Sequence, residues 1–136
     1  MPKGLPPQDA LDFLKRPNPA VMATVNRAGQ PVSVATWYLL QDDNRILLDL
    51  DAGRARLKHL RSNGLVSLTA LDHDNWGTHL SVRGHVVEIA DEPGLAGIDL
   101  LAIHYTGKPY AVRDRPRVSV WFAIDSYHGW GALAGI

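Results

Sequence analysis

The sequence predicts an α+β domain built mainly of antiparallel strands. Six apolar or β-branched segments are separated by short turns rich in Gly, Asn and Asp, a pattern typical of hairpins and meanders. Strands and helices do not alternate regularly, so a parallel sheet of strand–helix–strand units is disfavoured. In a chain of 136 residues, six antiparallel strands favour a closed or nearly closed barrel, because closure removes exposed strand edges. We expect one domain covering residues 1–136.

Turn residues divide the first half of the chain into a helix, a hairpin and a third strand. Asp9, which follows two prolines, can start a short amphipathic helix that Pro17 ends. Gly29 supplies the residue with positive φ in the turn of the hairpin. The predicted strands are 20–25, 32–40 and 45–51, and a helix over 54–62 ends at Asn63-Gly64, a pair typical of a helix C-cap.

The second half of the chain is predicted to hold three more strands and one more helix. Asp91-Glu92-Pro93 is typical of a helix start, because Asp caps free N–H groups and Pro suits the first turn. The predicted strands are 65–71, 78–90 and 118–124, with a loop over 106–115 and a Gly-rich tail over 126–136.

Composition excludes several classes of protein. Fourteen basic residues balance fourteen acidic ones, whereas nucleic-acid binders usually carry a basic excess, so no nucleic-acid partner is expected. The absence of cysteine excludes disulfides and thiolate sites and fits a reducing cytoplasm, where we place the protein. No apolar run approaches the roughly 18 residues that cross a bilayer, and the N-terminus has no signal-peptide core. We therefore expect no membrane partner.

The motifs of metal and nucleophile sites are missing. His79 and His85 lie on one face of a predicted strand, but about 20 Å apart at the usual strand rise, too far for one ion. The chain has no Gly-x-Ser-x-Gly elbow, no Gly-x-Gly-x-x-Gly and no P-loop. We therefore expect no metal and assign no catalytic residue.

The clearest functional signal lies at the start of the helix predicted over 54–62. Arg54, Arg56 and Lys58 follow an apolar strand and a turn marked by Gly53. A helix N-terminus is electropositive, so three cations there are unfavourable unless an anion is normally bound. This pattern indicates a phosphate site. Because Arg and Lys are also good helix formers on solvated faces, a plain surface helix stays an alternative.

The order of these elements resembles the pyridoxamine 5′-phosphate oxidase-like split-barrel proteins. The resemblance rests on Arg-Ala-Arg-Leu-Lys at 54–58, Val-Arg-Gly-His at 82–85 and Arg117-Val118, and it covers residues 9 to 130. The chain is most similar to the B group of flavin/deazaflavin-dependent oxidoreductases. The resemblance implies an FMN-binding type of split β-barrel with short flanking helices. It also implies a homodimer, with a flavin or the deazaflavin coenzyme F420 in the groove between the subunits.

The resemblance also implies which residues bind the cofactor. The basic residues would hold its phosphate, the end of the third strand would contact the ring and chain through its backbone, and Trp76 and His79 would approach from the other subunit. Trp37 would lie near the ring, although a tryptophan in a strand is more often part of the core. The implied cofactor-binding residues are Trp37, Leu50, Asp51, Gly53, Arg54, Ala55, Arg56, Lys58, Trp76 and His79.

The function that the resemblance implies is transfer of a hydride from reduced coenzyme F420 to a small conjugated organic acceptor. In such chemistry the cofactor reacts and the protein supplies position and charge. Three alternatives stay open: an FMN-dependent reductase or oxidase of the same fold, a non-catalytic flavin or deazaflavin carrier, and a dimeric scaffold with a solvated basic helix. The additional substrate-phosphate residues of a true pyridoxamine phosphate oxidase have no match here, so vitamin B6 chemistry is not expected.

Overall fold

A computed structural model describes residues 1–92 and 94–136, in which seven strands form one antiparallel sheet. The predicted α+β, mainly antiparallel fold is confirmed. The order of the strands in the sheet is β2-β1-β5-β6-β7-β4-β3. The strands are β1 (Ala20–Val25), β2 (Pro31–Thr36), β3 (Leu39–Leu40), β4 (Ile46–Asp51), β5 (Leu65–Leu71), β6 (His79–Glu92) and β7 (Arg117–Trp130).

The sheet curls into a split barrel because its two edge strands are neighbours in the chain. β2 and β3 lie at opposite edges of the sheet, yet only Trp37 and Tyr38 separate them. The three Cα steps from β2 to β3 span at most roughly 11 Å, so the sheet must bend until its edges approach each other. Register shifts at Arg83/Gly84 and Val86/Glu88 of β6 help to produce this bend.

Gly84 is required where β6 crosses β7. A Cβ at this position would collide with the carbonyl oxygen of Ala123 and lie 2.8 Å from Cδ2 of Phe122. A larger residue would therefore push the two long strands apart at the register shift.

Three helices in the described residues pack against the barrel: α1 (Gln8–Leu14), α2 (Ala55–Ser62) and α3 (Ala96–Thr106). On α2, Leu57 and Leu60 are both buried, so the helix turns its basic residues to the other side. No helix in the described part of the chain is long and apolar enough to cross a membrane.

The core fills the inside of the barrel, where Met22, Leu68 and Phe122 have no exposed surface. Tyr38 is also fully buried, and its hydroxyl donates to the carbonyl of Leu14 (2.8 Å) and accepts from the Asn18 amide (2.9 Å). These bonds tie the end of α1 to the connection between the edge strands.

The single strand predicted over 32–40 is wrong, because it is interrupted after Thr36. Tyr38 turns its ring into the core to reach its partners beyond α1, which breaks the strand at residues 37 and 38. Trp37, next to it in the chain, stays partly exposed.

The helix predicted to start at Asp91 is also wrong, because β6 continues through Asp91 and Glu92, which lie opposite Val118 and Arg117. Pro93 lies outside the described residues. α3 begins only after Leu95, which has a left-handed backbone with φ of 59°. The last strand is likewise longer than predicted and takes in half of the expected Gly-rich tail, because residues 126–130 pair with the beginning of β6.

Candidate functional site

A large cavity lies where the end of β4 and the start of α2 face α3. Its volume of about 660 Å³ falls within the range of roughly 300–1,000 Å³ that small-molecule and cofactor sites occupy. Its walls come from segments far apart in the sequence, including the end of β2, the start of β7 and the loop after α3. The side chains that give the cavity its chemistry are Trp37, Asp49, Asp51, Arg54, Arg56, Tyr105, Tyr110 and Arg117.

Two arginines at the start of α2 give one wall its positive charge. Arg54 pairs with the Asp51 carboxylate (3.4 Å), and its side chain is largely exposed. Arg56 is half-buried and forms no ion pair within the described residues. Its Nη1 lies 3.5 Å from the sulfur of Met22. Burial lowers the pKa of Arg56, and the positive charges of Arg54 and Arg117 lower it further.

This arrangement favours an anionic ligand. A half-buried cation that is repelled by its neighbours gains free energy when an anion binds beside it. The start of α2 adds to the effect, because it carries no acidic residue in its first turn and no side-chain cap within the described residues. A phosphate here would meet both guanidinium groups, which can each donate two hydrogen bonds.

An aromatic wall stands opposite the arginines. The indole of Trp37 stacks on the ring of Tyr105 with centroids 5.4 Å apart and planes 12° from parallel, and it meets Tyr110 edge-on at 6.1 Å. The Tyr105 hydroxyl donates to the carbonyl of Asn18 (2.7 Å), which fixes the ring. Asp99 accepts from the backbone N–H of Tyr110 (2.9 Å) and so holds the second tyrosine in place. The stack offers a flat surface for a conjugated ring.

The floor of the cavity is a buried network centred on Arg117. Its Nε donates to Oδ1 of Asp49 (2.6 Å), and its Nη1 donates to Oδ1 of Asp51 (3.0 Å). The ring of Tyr110 lies over its guanidinium at 5.0 Å. The Ser119 hydroxyl lies 3.0 Å from Oδ2 of Asp49 and 3.3 Å from Oε2 of Glu92. The network thus joins β4, β6 and β7 beneath the cavity.

Asp49 has an unusual protonation equilibrium in this network. Burial raises its pKa most, and the hydrogen bond with Glu92 raises it further, to about 8. Arg117 opposes this effect, but the arginine divides its charge between Asp49 and Asp51. The surroundings of Asp49 therefore hold its pKa well above the ordinary range of an aspartate.

Five of the ten residues predicted for cofactor binding meet at this cavity: Trp37, Leu50, Asp51, Arg54 and Arg56. Gly53, Ala55 and Lys58 are exposed near the start of α2, outside the lining of the cavity. Trp76 lies in the loop between β5 and β6, outside the lining of the cavity, with 75% of its surface exposed, and the nearby His79 ring lies 3.2 Å from the Trp76 carbonyl. Both were expected to act from the partner subunit, so their roles stay predictions.

The residues of the cavity that sequence reasoning missed include Asp49, Tyr105, Tyr110 and Arg117. The tyrosines fall near the end of α3 and in the loop after it, where no local pattern marks a site. Asp49 and Asp51 alternate along β4 with buried leucines, and two acids on one face of an otherwise apolar strand were the available signal. Both carboxylates bond to Arg117 on β7, which lies 68 residues from Asp49 and 66 residues from Asp51 in the sequence.

Comparison with known proteins gives one family match. A family profile described as pyridoxamine 5′-phosphate oxidase matches residues 6–131. No curated protein sequence matches the chain.

Solved structures share the fold over most of the chain. An F420 reductase is 27% identical, with a TM-score of 0.76, and the match covers 85% of this chain and 93% of that one. A conserved hypothetical protein of Mycobacterium tuberculosis is 26% identical, with a TM-score of 0.73 and coverage of 94% and 86%. The HupZ protein of Group A Streptococcus, at 18% identity, a TM-score of 0.68 and coverage of 97% and 99%, shows the fold alone.

Proposed function

The chain belongs to the pyridoxamine 5′-phosphate oxidase family, and from that premise we propose that it is an oxidoreductase that uses coenzyme F420. The cofactor would lie in the cavity between α2 and α3, and the reaction would transfer a hydride to a small conjugated organic acceptor. The observation that carries the proposal is the half-buried Arg56, which lies beside Arg54 without an ion-pair partner in the described residues, in a cavity walled by aromatic rings.

The residues of the cavity fit the two chemical parts of such a cofactor. Arg54 and Arg56 would hold the negatively charged tail through charge-assisted hydrogen bonds. The stack of Trp37 on Tyr105 would support the flat ring by van der Waals contact. The similarity to an F420 reductase over 85% of the chain supports the deazaflavin in particular.

The protein's part in the reaction is binding and exclusion of water. A bound deazaflavin supplies hydride chemistry that amino-acid side chains do not offer. Leu50 is buried at the cavity wall. Together with the aromatic rings, it would exclude water from the part of the cavity that holds the cofactor ring. The arginines hold the charged end at a fixed distance from that apolar surface, which orients the ligand.

FMN is the second candidate cofactor, because the same pair of arginines suits its terminal phosphate equally well. An FMN-dependent reductase or oxidase, or a carrier that binds a flavin or deazaflavin without turnover, would use the same cavity. These alternatives differ from the main proposal in which ligand binds and whether an acceptor is reduced.

We also propose that two copies of the chain complete the site. α3, which forms one side of the cavity, leaves Leu100 and Ile103 half-exposed, and Val112 in the following loop is 41% exposed. Such apolar surface next to a cavity is typical of an interface. A second subunit would cover it and could bring Trp76 and His79 towards the ligand.

Titration with matched ligands tests the proposal. We expect saturable binding of F420, measured by its fluorescence, and binding at least about tenfold weaker for the deazaflavin chromophore that lacks the phosphate tail, because the tail supplies the charge for Arg54 and Arg56. The same comparison can be made with FMN, which carries a phosphate, and riboflavin, which lacks it. Reduced F420 should then be oxidised in the presence of conjugated enones or quinones.

Each other outcome has a distinct meaning. Preferential binding of FMN over F420 would favour the FMN-dependent alternative. Binding without reduction of any acceptor would favour the carrier. Equal affinity for the ligands with and without phosphate would contradict the assignment of the arginines.

A further inference from the structure

The carboxyl groups of Asp49 and Glu92 share one hydroxyl partner beneath the cavity. Ser119 Oγ lies within hydrogen-bonding distance of Oδ2 of Asp49 and of Oε2 of Glu92. A serine hydroxyl has one hydrogen and can donate to only one of them. The other carboxyl can bond to the same oxygen only if it carries a proton itself. The arrangement therefore favours one proton on this pair.

The surroundings of the pair keep water away. The side chain of Asp49 has no exposed surface, and that of Arg117 is 8% exposed. α3 packs directly on the pair at Gly97, where an added Cβ would collide with Ser119 Oγ and lie 2.9 Å from Asp49 Oδ2 and 3.0 Å from Glu92 Oε1. Since not even a methyl group fits between α3 and the pair, water cannot approach the carboxyl groups from this side, and two negative charges here would repel.

Local donors indicate where the proton lies. Oε1 of Glu92 accepts the backbone N–H of Ile98 (2.9 Å) in the first turn of α3, where the helix dipole favours a negative charge. On the other side, Arg117 is shared between Asp49 and Asp51. The raised pKa of Asp49, about 8, agrees with a proton on this residue at neutral pH.

A protonated Asp49 changes the charge that a ligand in the cavity meets. Three guanidinium groups, from Arg54, Arg115 and Arg117, pair with Asp51, and Arg56 lines the same cavity. With Asp49 neutral, the excess of positive charge in the cavity is larger by one unit than with Asp49 ionised. Ionisation of Asp49 would add a negative charge beside the guanidinium of Arg117, directly under the cavity.

We propose that Asp49 is a positioning residue for the anion site: by holding one proton with Glu92, it leaves the charge of Arg117 available to an anionic ligand, and loss of that proton weakens binding. The inference rests on the proposed function, since it needs an anionic cofactor in the cavity. No change of ligand contacts is required, because Asp49 acts through Arg117.

The variant that tests this role is Asp49→Asn, because asparagine imitates a protonated aspartate. Its carbonyl oxygen can accept from Arg117, and its amide can donate to Glu92. We expect the affinity of the wild-type chain for F420 to fall on the order of tenfold between pH 7 and pH 9.5. The affinity of the variant should stay level over this range. Titration of the ligand itself would change the affinity of both chains equally, so the difference between them reports on Asp49.

A second measurement, on the protein without ligand, separates this inference from the proposed function. The folded chain holds the Asp49 proton more tightly than an unfolded chain, where an aspartate has a pKa of about 3.9. The stability of the wild type relative to Asp49→Asn should therefore decrease as pH rises from about 4 to about 8 and then level off. Chemical denaturation at a series of pH values gives this difference.

The two measurements have separate outcomes. If F420 and FMN do not bind at any pH, the proposed function fails, while the stability difference still tests the proton on Asp49. A stability difference that does not change with pH would overturn the inference. So would a wild-type affinity as level as that of the variant. Should Asp49→Asn not fold, carbon-13 NMR of the aspartate carboxyl groups in the wild-type chain decides, since a normal titration near pH 4 for every aspartate would also overturn it.

Discussion

Replacement of Arg56 by alanine is expected to weaken binding of F420, or of FMN, by about 1–3 kcal/mol, which is roughly 5- to 150-fold in the dissociation constant. The loss is large because Arg56 is half-buried and, within the described residues, has no ion pair that competes with the ligand. The unfolding free energy without ligand should change little, since the guanidinium of Arg56 forms no hydrogen bond in the described residues other than the contact with the sulfur of Met22. Fluorescence titration and chemical denaturation measure the two quantities.

Arg61→Ala is the matched control for this prediction. Arg61 is an exposed arginine in the last turn of the same helix, and it lies outside the lining of the cavity. Its removal changes the net charge by the same amount, so affinity should remain near the wild-type value. An equal loss in both variants would indicate general electrostatic attraction rather than a site at Arg56. A large loss of stability in Arg56→Ala without ligand would show that Arg56 has a structural role.

Replacement of Leu68 by alanine is expected to lower the unfolding free energy by about 2–5 kcal/mol, the usual range for removal of a buried leucine side chain. Leu68 lies in the middle of β5 with no exposed surface, opposite Met22 on β1 and Val82 on β6. The lost side chain leaves a cavity in the centre of the barrel, where three paired strands cannot easily close in. Denaturation by urea measures the change.

Leu65→Ala provides the comparison within the same strand. Leu65 is 57% exposed at the start of β5, and a surface substitution of this kind usually changes stability by about 0.5 kcal/mol or less. A similar loss for both leucines would contradict the burial pattern of β5 and hence the way the sheet curls.

The parts of the fold that local patterns specify could be predicted from the sequence. The strands at 20–25 and 65–71 have the predicted bounds, because their β-branched residues and flanking turns are local signals. The break at Trp37 and Tyr38 could not be predicted, since it depends on the distant partners of the Tyr38 hydroxyl at Leu14 and Asn18. Similarly, Glu92 extends β6 because it lies opposite Arg117.

In the candidate site, too, features that a local pattern specifies could be predicted, and features that depend on distant contacts could not. The basic start of α2 is visible because a run of cations at a helix N-terminus is unusual by itself. The network of Asp49 and Arg117 exists only through the register between β4 and β7, which places Asp49 opposite Ser119 and Asp51 opposite Arg117. No local pattern specifies that register. The aromatic wall likewise forms only when α3 packs across the barrel and brings Tyr105 to Trp37.

The central claim, that the cavity between α2 and α3 holds an anionic redox cofactor, is tested most directly by a crystal structure of the protein grown with F420 or with FMN. We expect the phosphate within hydrogen-bonding distance of Arg54 and Arg56, the flat ring beside Trp37, and a second copy of the chain closing the site. A ligand bound elsewhere, with the two arginines facing only solvent, would contradict the claim.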